Sequence, residues 1–303
     1  MRAALVTNPR AGKGRGLRAA AQAEAVLRGA DWQIEPRLTE GPGDGIRLAR
    51  QAAHDGYDAV LACGGDGTLS EVLNGLRGTG IPAGVIPAGT GNDFSRTAGI
   101  SRDPAQAARQ LLTAEVAAVD MLAVNDGARW AVNVIGVGFD ARVARRINRR
   151  RRLTAGLSTY LTAVTQELIV YRPDSLSVEV DGTRWEGAAL LVAIANARSY
   201  GAGMCIAPMA EIDDGLLDVI AVAHLGRLAF LRSFPQVLRG THLGHPAVRT
   251  WRGREVKVTA PTGPVPVLVD GDVQCETPLS VRVVPGAARM LLPREGRYGR
   301  AGS

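Results

Sequence analysis

The sequence predicts an α/β chain in two domains, a parallel-sheet domain followed by an antiparallel β-sandwich. Three observations carry that expectation. Apolar runs alternate with amphipathic ones through the first 76 residues, in the order strand, helix, strand, helix, strand, helix. Strands separated by helices form a parallel sheet through crossovers. Three strands, at 3–7, 57–62 and 81–86, end in glycine-rich turns, at residues 8–14, 63–68 and 87–94. From residue 176 onward most segments are short and strand-like, with turn signals between them. A chain of 303 residues is long enough for two cores. The change of pattern puts the boundary near residue 122, giving a nucleotide-type domain over 1–122 and a β-rich domain over 123–284.

Taken in order, residues 3–7 form a short apolar strand. Asn8-Pro9-Arg10-Ala11-Gly12-Lys13-Gly14 is a turn-rich loop, and residues 15–27 read as a helix. The loop lacks the spacing and terminal Lys-Ser/Thr of the usual phosphate-binding loop. It is a variant nucleotide loop or a tight connection, with Asn8 and Lys13 as its polar groups. Residues 32–38 are a second strand, Thr39 to Gly43 a loop, 44–54 a helix and 57–62 a third strand. This βαβαβ order is Rossmann-like, and ligands gather at the carboxyl ends of such strands.

The stretch Cys63-Gly64-Gly65-Asp66-Gly67-Thr68 organises the chain. Three glycines remove Cβ atoms where a backbone must approach something closely. A helix starting near Thr68 would aim free N–H groups over the turn, where anions are favoured. Asp66 adds a carboxylate, which repels phosphate unless a cation lies between them. The pattern therefore points to phosphate with Mg²⁺. Glu71 and Asn74 are three apart and share a helix face. They orient the glycine loop and contact ligand or metal, or are a solvated Glu and a polar helix end. Residues 81–86 make a fourth strand, followed by Pro87-Ala88-Gly89-Thr90-Gly91-Asn92-Asp93-Phe94. Here Gly89 permits close approach, Thr90 offers a hydroxyl and Asp93 a second carboxylate. Asp103-Pro104 opens a further helix.

Residues 116–124 and 130–135 read as strands, and Asn133 to Asp140 as another glycine-rich corner. Residues 145–152 hold six arginines, either a solvated face or a surface for anionic lipid. Residues 154–170 and 225–238 read as helices. Strands are expected at 176–180, 188–195, 217–222, 255–259, 266–269 and 279–284, with Asp181-Gly182 as the clearest hairpin turn. Asp213-Asp214-Gly215-Leu216-Leu217-Asp218 sets carboxylates around a turn that could hold a divalent cation. Val269-Asp270-Gly271-Asp272 ends an apolar strand. Asp270 is placed there as a general base for an alcohol, or as part of a type I′ hairpin turn.

Composition narrows the partners. The net charge is +7, from 36 basic and 29 acidic residues, which favours an anionic partner. Aromatics are only 4%, too few for base stacking along a nucleic acid. Three cysteines without metal-ligand spacing suit a reducing compartment and buried free thiols. No signal peptide and no spanning apolar run are present, so the expected location is cytoplasmic.

At this point the chain resembles the diacylglycerol kinase catalytic family, which includes sphingosine kinases and bacterial soluble lipid kinases and is more distantly related to NAD kinases. The resemblance rests on Asn8-Pro9 with Gly12, residues 64–68 with Glu71 and Asn74, and Pro87 with residues 89–94. It continues through residues 133–140, Gly156 with Tyr160, Asn196 with Gly201 and Gly203, Pro208 with Ala210, residues 213–218 and Asp270-Gly271. It implies ATP bound between two domains, lined by Asn8, Gly12, Thr39, Gly64, Gly65, Asp66, Gly67, Thr68, Glu71, Asn74, Gly89 and Thr90. It implies a sandwich second domain, with the tail from about residue 285 to 303 packing back on the first. It implies Asp270 as catalytic aspartate, Asp66 and Asp93 in an acidic network near phosphates and Mg²⁺, and structural Mg²⁺ at Asp214 and Asp218. The family's Glu two residues after the catalytic Asp is Asp272 here. The implied reaction is ATP-dependent phosphorylation of a lipid alcohol, diacylglycerol first. Sphingoid base, ceramide or phosphatidylglycerol, an NAD kinase and a non-catalytic nucleotide-binding regulator are the alternatives. The implied enzyme visits the inner face of the cell membrane through residues 145–152, binds no nucleic acid, and leaves room for a homodimer.

Overall fold

The computed structural model describes residues 1–149, 157–201 and 203–294. The chain divides into two compact units: Met1–Met121 with Pro285–Ser303, and Leu122–Val284.

Unit 1 opens with β1 (Arg2–Thr7), α1 (Ala11–Gly14) and α2 (Gly16–Arg28). α1 is a single turn broken by left-handed Gly12 and Lys13. Then come β2 (Gln33–Leu38), α3 (Asp44–His54), β3 (Ala59–Gly64), α4 (Asp66–Leu76) and β4 (Ala83–Pro87). α5 (Asp93–Thr97), α6 (Pro104–Leu112) and β5 (Glu115–Val124) complete the run. The sheet order is β2-β1-β3-β4, all parallel. β3 is buried along its whole length because a central parallel strand is covered on both faces. β2 is the edge, and only an edge tolerates its Pro36. The step from β1 to β2 runs one way along the sheet, and the steps from β2 to β3 and from β3 to β4 run the other. Right-handed crossovers therefore put α2 on one face and α3 and α4 on the opposite one. The helix packing agrees: α2 packs on α6, and α3 on α4. Asp103 caps α6 by accepting from the Gln106 amide at 2.8 Å, with Pro104 in the first turn.

Unit 2 is antiparallel. It contains β6 (Arg129–Ala131), β7 (Val134–Gly138), α7 (Phe139–Arg149), α8 (Leu157–Val170), β8 (Asp174–Val180) and β9 (Thr183–Ala195). β10 (Leu217–Ala223), α9 (Arg227–Arg239), β11 (Val248–Gly253) and β12 (Glu255–Thr259) follow. The last strands are β13 (Pro266–Val269), β14 (Asp272–Glu276) and β15 (Leu279–Leu292). The strands run β14-β13-β7-β9-β8-β12-β15, with β10 between β9 and β11. Their inward faces make one core, including Leu122, Ile135, Val178, Val192, Val219 and Val267. A second apolar cluster joins α7, α8 and α9 to the opposite faces of β7, β9 and β10. β8 and β9 are joined by Asp181-Gly182, both at positive φ, as a two-residue turn requires.

The parallel and sandwich architectures agree with the sequence expectation, and two local differences have physical causes. α4 starts at Asp66, two residues earlier than expected, with Gly65 as its cap. A carboxylate in a first helical turn is favoured by the helix dipole. The single strand expected over 130–135 is two strands, because the amides of Val132 and Asn133 donate to Asp270 instead of to a neighbouring strand. β15 extends past residue 284 and pairs with β4 at Met290, on the sheet of unit 1. Of the thiols, only Cys63 is buried; Cys205 and Cys275 are partly exposed. Burial pushes the Cys63 thiol up to about 12, so it stays protonated.

Candidate active site

In unit 1 the three glycine loops meet at the carboxyl end of the sheet, since Thr7 pairs with Cys63 and Gly64 with Pro87. The Asn8 amide donates to the Cys63 carbonyl at 2.9 Å. The amides of Ala88 and Gly89 both donate to the Gly64 carbonyl, at 2.8 and 3.2 Å. Close approach explains the glycines. A Cβ on Gly12 would stand 2.1 Å from the Ala88 carbonyl oxygen, and one on Gly89 would stand 2.5 Å from the Gly65 Cα. A Cβ on Gly64 would meet the Thr68 hydroxyl at 2.3 Å.

The polar groups divide by role. Asn8 Nδ2 reaches the Thr68 hydroxyl at 3.4 Å, and its Oδ1 accepts from the Arg10 amide at 3.0 Å. Asp66 Oδ1 accepts from the Phe94 amide at 2.9 Å, which ties the second loop to α5. Asp93 is buried at the start of α5, with Arg96 Nε 4.0 Å away. Gly67, in the first turn of α4, and Thr90, in the third loop, are exposed. Thr39 is buried, and its amide donates to Thr7 at 2.9 Å, continuing the β1–β2 pairing. Glu71 is turned the other way: its two carboxylate oxygens accept the amides of Gly43 and Gly45, each at 2.8 Å. It caps the start of α3. Asn74 donates to the Ser70 carbonyl of its own helix at 2.8 Å.

In unit 2, Asp270 and Gly271 form the two-residue turn between β13 and β14, both at positive φ. The Asp270 carboxylate accepts from the Val132 and Asn133 amides, each at 2.9 Å. Two fixed donors hold the carboxylate plane in one orientation, so the turn and the aimed carboxylate are the same structure. Asp272 is exposed at the start of β14. Asp214 and Asp218 come together on one guanidinium. Arg252 donates to Asp214, and its Nε lies 3.4 Å from Asp218. Burial raises the Asp218 carboxyl above its ordinary range, and Arg252 opposes that shift. Its buried Oδ2 makes no hydrogen bond. Among the described residues no group of three or more His, Cys, Asp or Glu gathers at one point.

Sequence reasoning did not assign Asp140. It lies inside a pocket lined by apolar side chains of β9, α8 and α9, among them Leu190, Val164, Phe230 and Phe234. Gly136 makes room for it, since a Cβ there would overlap the Asp140 carboxylate. The clue was the glycine two residues before Gly138 in the Asn133 to Asp140 corner, although sequence alone does not say which side chain fills the gap. Burial pushes the Asp140 carboxyl from 3.8 up to about 6, against a smaller opposing pull from the Ala141 amide and Tyr200. The folded state therefore holds this proton more tightly than the unfolded chain. Stability is full below about pH 4 and falls as pH rises through about 6, by about 3 kcal/mol. Asp140→Asn should flatten that limb, so urea midpoints at pH 5 and pH 7 should differ less than in the wild type. An unchanged difference would place the titration elsewhere.

The run at residues 145–152 is only partly described. Arg145 pairs with Glu276 and Arg146 with Glu167, at 2.7 and 2.6 Å. Residues 150–152 lie outside the described residues, and nothing is described of the Arg149 side chain. No described helix is long and apolar enough to cross a membrane.

A parallel sheet with three converging glycine loops that carry Asp66 and Asp93 defines a nucleotide-dependent phosphotransferase architecture. The chain belongs to the diacylglycerol kinase family of lipid kinases. Residues 2–124 match the diacylglycerol kinase catalytic domain, and residues 133–292 match the YegS C-terminal NAD kinase beta sandwich-like domain. The chain is 36% identical over 296 residues to a diacylglycerol kinase of Mycobacterium tuberculosis, covering 96% of this chain and 95% of that one. A diacylglycerol kinase of Bacillus subtilis is 29% identical over 263 residues, 85% of each chain. The fold matches a crystal structure of a diacylglycerol kinase from Bacillus anthracis with a TM-score of 0.74, at 23% identity and 97% coverage of both chains.

Proposed function

We propose that this chain transfers the γ-phosphate of ATP to the free hydroxyl of diacylglycerol, giving phosphatidic acid. The observation that carries the proposal is the Asp270 carboxylate, fixed by two amides at a glycine turn. An ionised carboxylate is an acceptor only, the form a general base needs. Asp270 would accept the hydroxyl proton as the new P–O bond forms and the bond to ADP breaks. Asn8, Gly12, Thr39, residues 64–68, Gly89 and Thr90 would hold the nucleotide. Glu71 would act one step back, by fixing α3 where it leaves the Thr39 loop, and Asn74 from the far end of α4. Mg²⁺, when bound, supplies positive charge to the transferring phosphoryl group. Asp66 and Asp93 would be its carboxylate ligands in unit 1, and Asp272 keeps a carboxylate two residues after Asp270. The names of the Mycobacterium and Bacillus relatives favour diacylglycerol among lipid alcohols.

The pocket around Asp140 suits the substrate's chain. Its open space is about 60 Å³, so an acyl chain would enter by displacing side chains of α9 such as Phe230 and Phe234. The outer face of α9 exposes Leu228, Leu231 and Leu238 beside Arg227, Arg232 and Arg239. An apolar stripe flanked by arginines suits an anionic bilayer surface. With Arg145 and Arg146 already paired, α9 is a better membrane-facing candidate than the described part of the arginine run. Incubation with labelled ATP and either NAD or vesicles of diacylglycerol, ceramide, sphingoid base or phosphatidylglycerol tests the substrate. Label in phosphatidic acid is expected; label in another lipid or in NAD alone would overturn the proposal.

A structural Mg²⁺ is proposed at Asp214 and Asp218, supported by the unsatisfied Asp218 Oδ2. Arg252 already neutralises part of this site, so the ion would have to displace or share it. An ion binding only the folded state stabilises by about 2.7 kcal/mol at a hundred times its dissociation constant. Asp218→Ala should therefore lose most of the Mg²⁺-dependent rise in Tm. An equal rise in wild type and variant would place the ion elsewhere.

A further inference from the structure

We propose that the arginine-lined pocket on the α2/α6 face of unit 1 is a second anion site that takes a phosphomonoester dianion. The pocket is about 410 Å³ and lies between α2, the third glycine loop and the start of α6. Arg15, Arg18 and Arg102 line it, with Gln22, Gly89 and Asn92. That volume is within the range of small-molecule sites, about 300–1,000 Å³.

Three features point to a phosphate. First, the guanidiniums lack acidic partners. Arg18 and Arg102 make no hydrogen bond or ion pair with any described residue, and Arg15 gives only its Nε, to the Gly12 carbonyl at 2.9 Å. Asp103, next to Arg102 in sequence, turns its Oδ1 to the Gln106 amide at the start of α6 and makes no ion pair with Arg102. Second, three like charges around one volume repel one another, and a bound anion reverses the sign of that term. Guanidiniums hold phosphate oxygens through paired N–H donors, a geometry that a dianion with three free oxygens satisfies better than a carboxylate. Third, the apolar lining is small, limited to Ala19, Ala88 and two prolines, which offers an acyl chain little.

The pocket shares Gly89 with the residues expected to hold the nucleotide, while the rest of that set divides between the two faces of the sheet. Thr39 leads into α3, and residues 65–68 lead into α4, on the opposite face of the sheet from α2 and α6. The two sites would share one element. Gly89 and Asn92 line the pocket, and the same loop carries Thr90 and Asp93. Asn92 is buried with a left-handed backbone, and its side chain exchanges two hydrogen bonds with Gly89 at 3.0 and 3.1 Å. A dianion held beside this loop would bias the loop that offers Thr90 to the nucleotide, and the coupling would be reciprocal. Resting on the lipid-kinase reading, the product of the reaction is itself a phosphomonoester, so the pocket would sense product.

The test is a binding measurement and needs no turnover. Inorganic phosphate and glycerol 3-phosphate are titrated into the full chain by calorimetry, at constant ionic strength, with and without saturating ATP. Sedimentation is then measured with vesicles containing phosphatidic acid or phosphatidylglycerol at matched surface charge. The expected result is saturable binding that persists in ATP and weakens about tenfold or more in Arg18→Gln/Arg102→Gln. Both side chains are exposed, and thermal unfolding checks that the variant is folded. Weaker phosphate binding with unchanged vesicle retention assigns the free anion as the source. A loss of retention specific to phosphatidic acid assigns the lipid headgroup. Absence of saturation with all probes, equal affinity in wild type and variant, or displacement by ATP would overturn the proposal. A chain that binds phosphate but phosphorylates no lipid would sink only the catalytic reading.

Discussion

Asp270→Asn should leave nucleotide binding intact and lower turnover by about 10²–10⁴-fold, the usual contribution of a general base. The substitution keeps size and shape but removes the basic oxygen pair. It has a second, separable effect. In the wild type both carboxylate oxygens accept backbone amides, from Val132 and Asn133. An Asn offers one oxygen to one amide and turns its own N–H₂ toward the other. An unsatisfied buried donor costs about 1–3 kcal/mol, so the variant should also unfold at lower urea. Measuring turnover, ATP affinity and urea midpoint on one preparation separates the effects. Near-normal turnover would remove Asp270 from the chemistry. Loss of ATP affinity along with turnover would make it a structural residue of the β13–β14 turn.

Gly12→Ala should be the most damaging single methyl in the first loop, and Gly14→Ala its control. Both positions have positive φ, +54° and +87°. Gly14 has nothing within 4 Å of a new Cβ, whereas Gly12 would drive one to 2.1 Å from the Ala88 carbonyl. The left-handed backbone alone costs about 1–2 kcal/mol for an alanine. Overpacking against a backbone oxygen adds about 1–3 kcal/mol. Gly14→Ala should therefore lose about 1–2 kcal/mol with little change in catalysis. Gly12→Ala should lose about 2–5 kcal/mol and push the first loop off the third. A displacement near 1 Å at a reacting centre can cost about 10²-fold in rate. Equal effects from the two substitutions would show that backbone strain, not the fit between the loops, sets the cost.

The legible parts of the chain were those with local causes. The strand–glycine–helix units of β1, β3 and β4 announce themselves through apolar runs and glycines, and the structure has all three. The Asp181-Gly182 and Asp270-Gly271 turns were readable because a two-residue hairpin needs two positive φ values. The less legible parts depended on partners far away in sequence. Glu71 looks like a ligand-facing carboxylate beside a glycine loop, yet its oxygens are taken by Gly43 and Gly45, 28 and 26 residues away in sequence. Arg145 and Arg146 look like the start of a free cationic run, but Glu276 and Glu167 neutralise them. The break between β6 and β7 was invisible for the same reason: its cause is the Asp270 carboxylate, more than a hundred residues downstream.

β15 has a consequence for how the protein is made. Its first half pairs with β12 in unit 2, while Met290 pairs with Ala83 of β4 in unit 1. The Gly286 amide also donates to Asp120 at 2.8 Å within unit 1. On the ribosome the first 121 residues therefore emerge with one flank of their sheet still missing its strand. That flank waits until all of unit 2 has been translated, at about 5–20 residues per second. Until then β4 presents a bare hydrogen-bonding edge, the kind of surface that chaperones shield and that aggregates grow from. A nascent chain stalled before β15 should accordingly be more open to protease in its early strands than the released protein, even though those strands left the tunnel first.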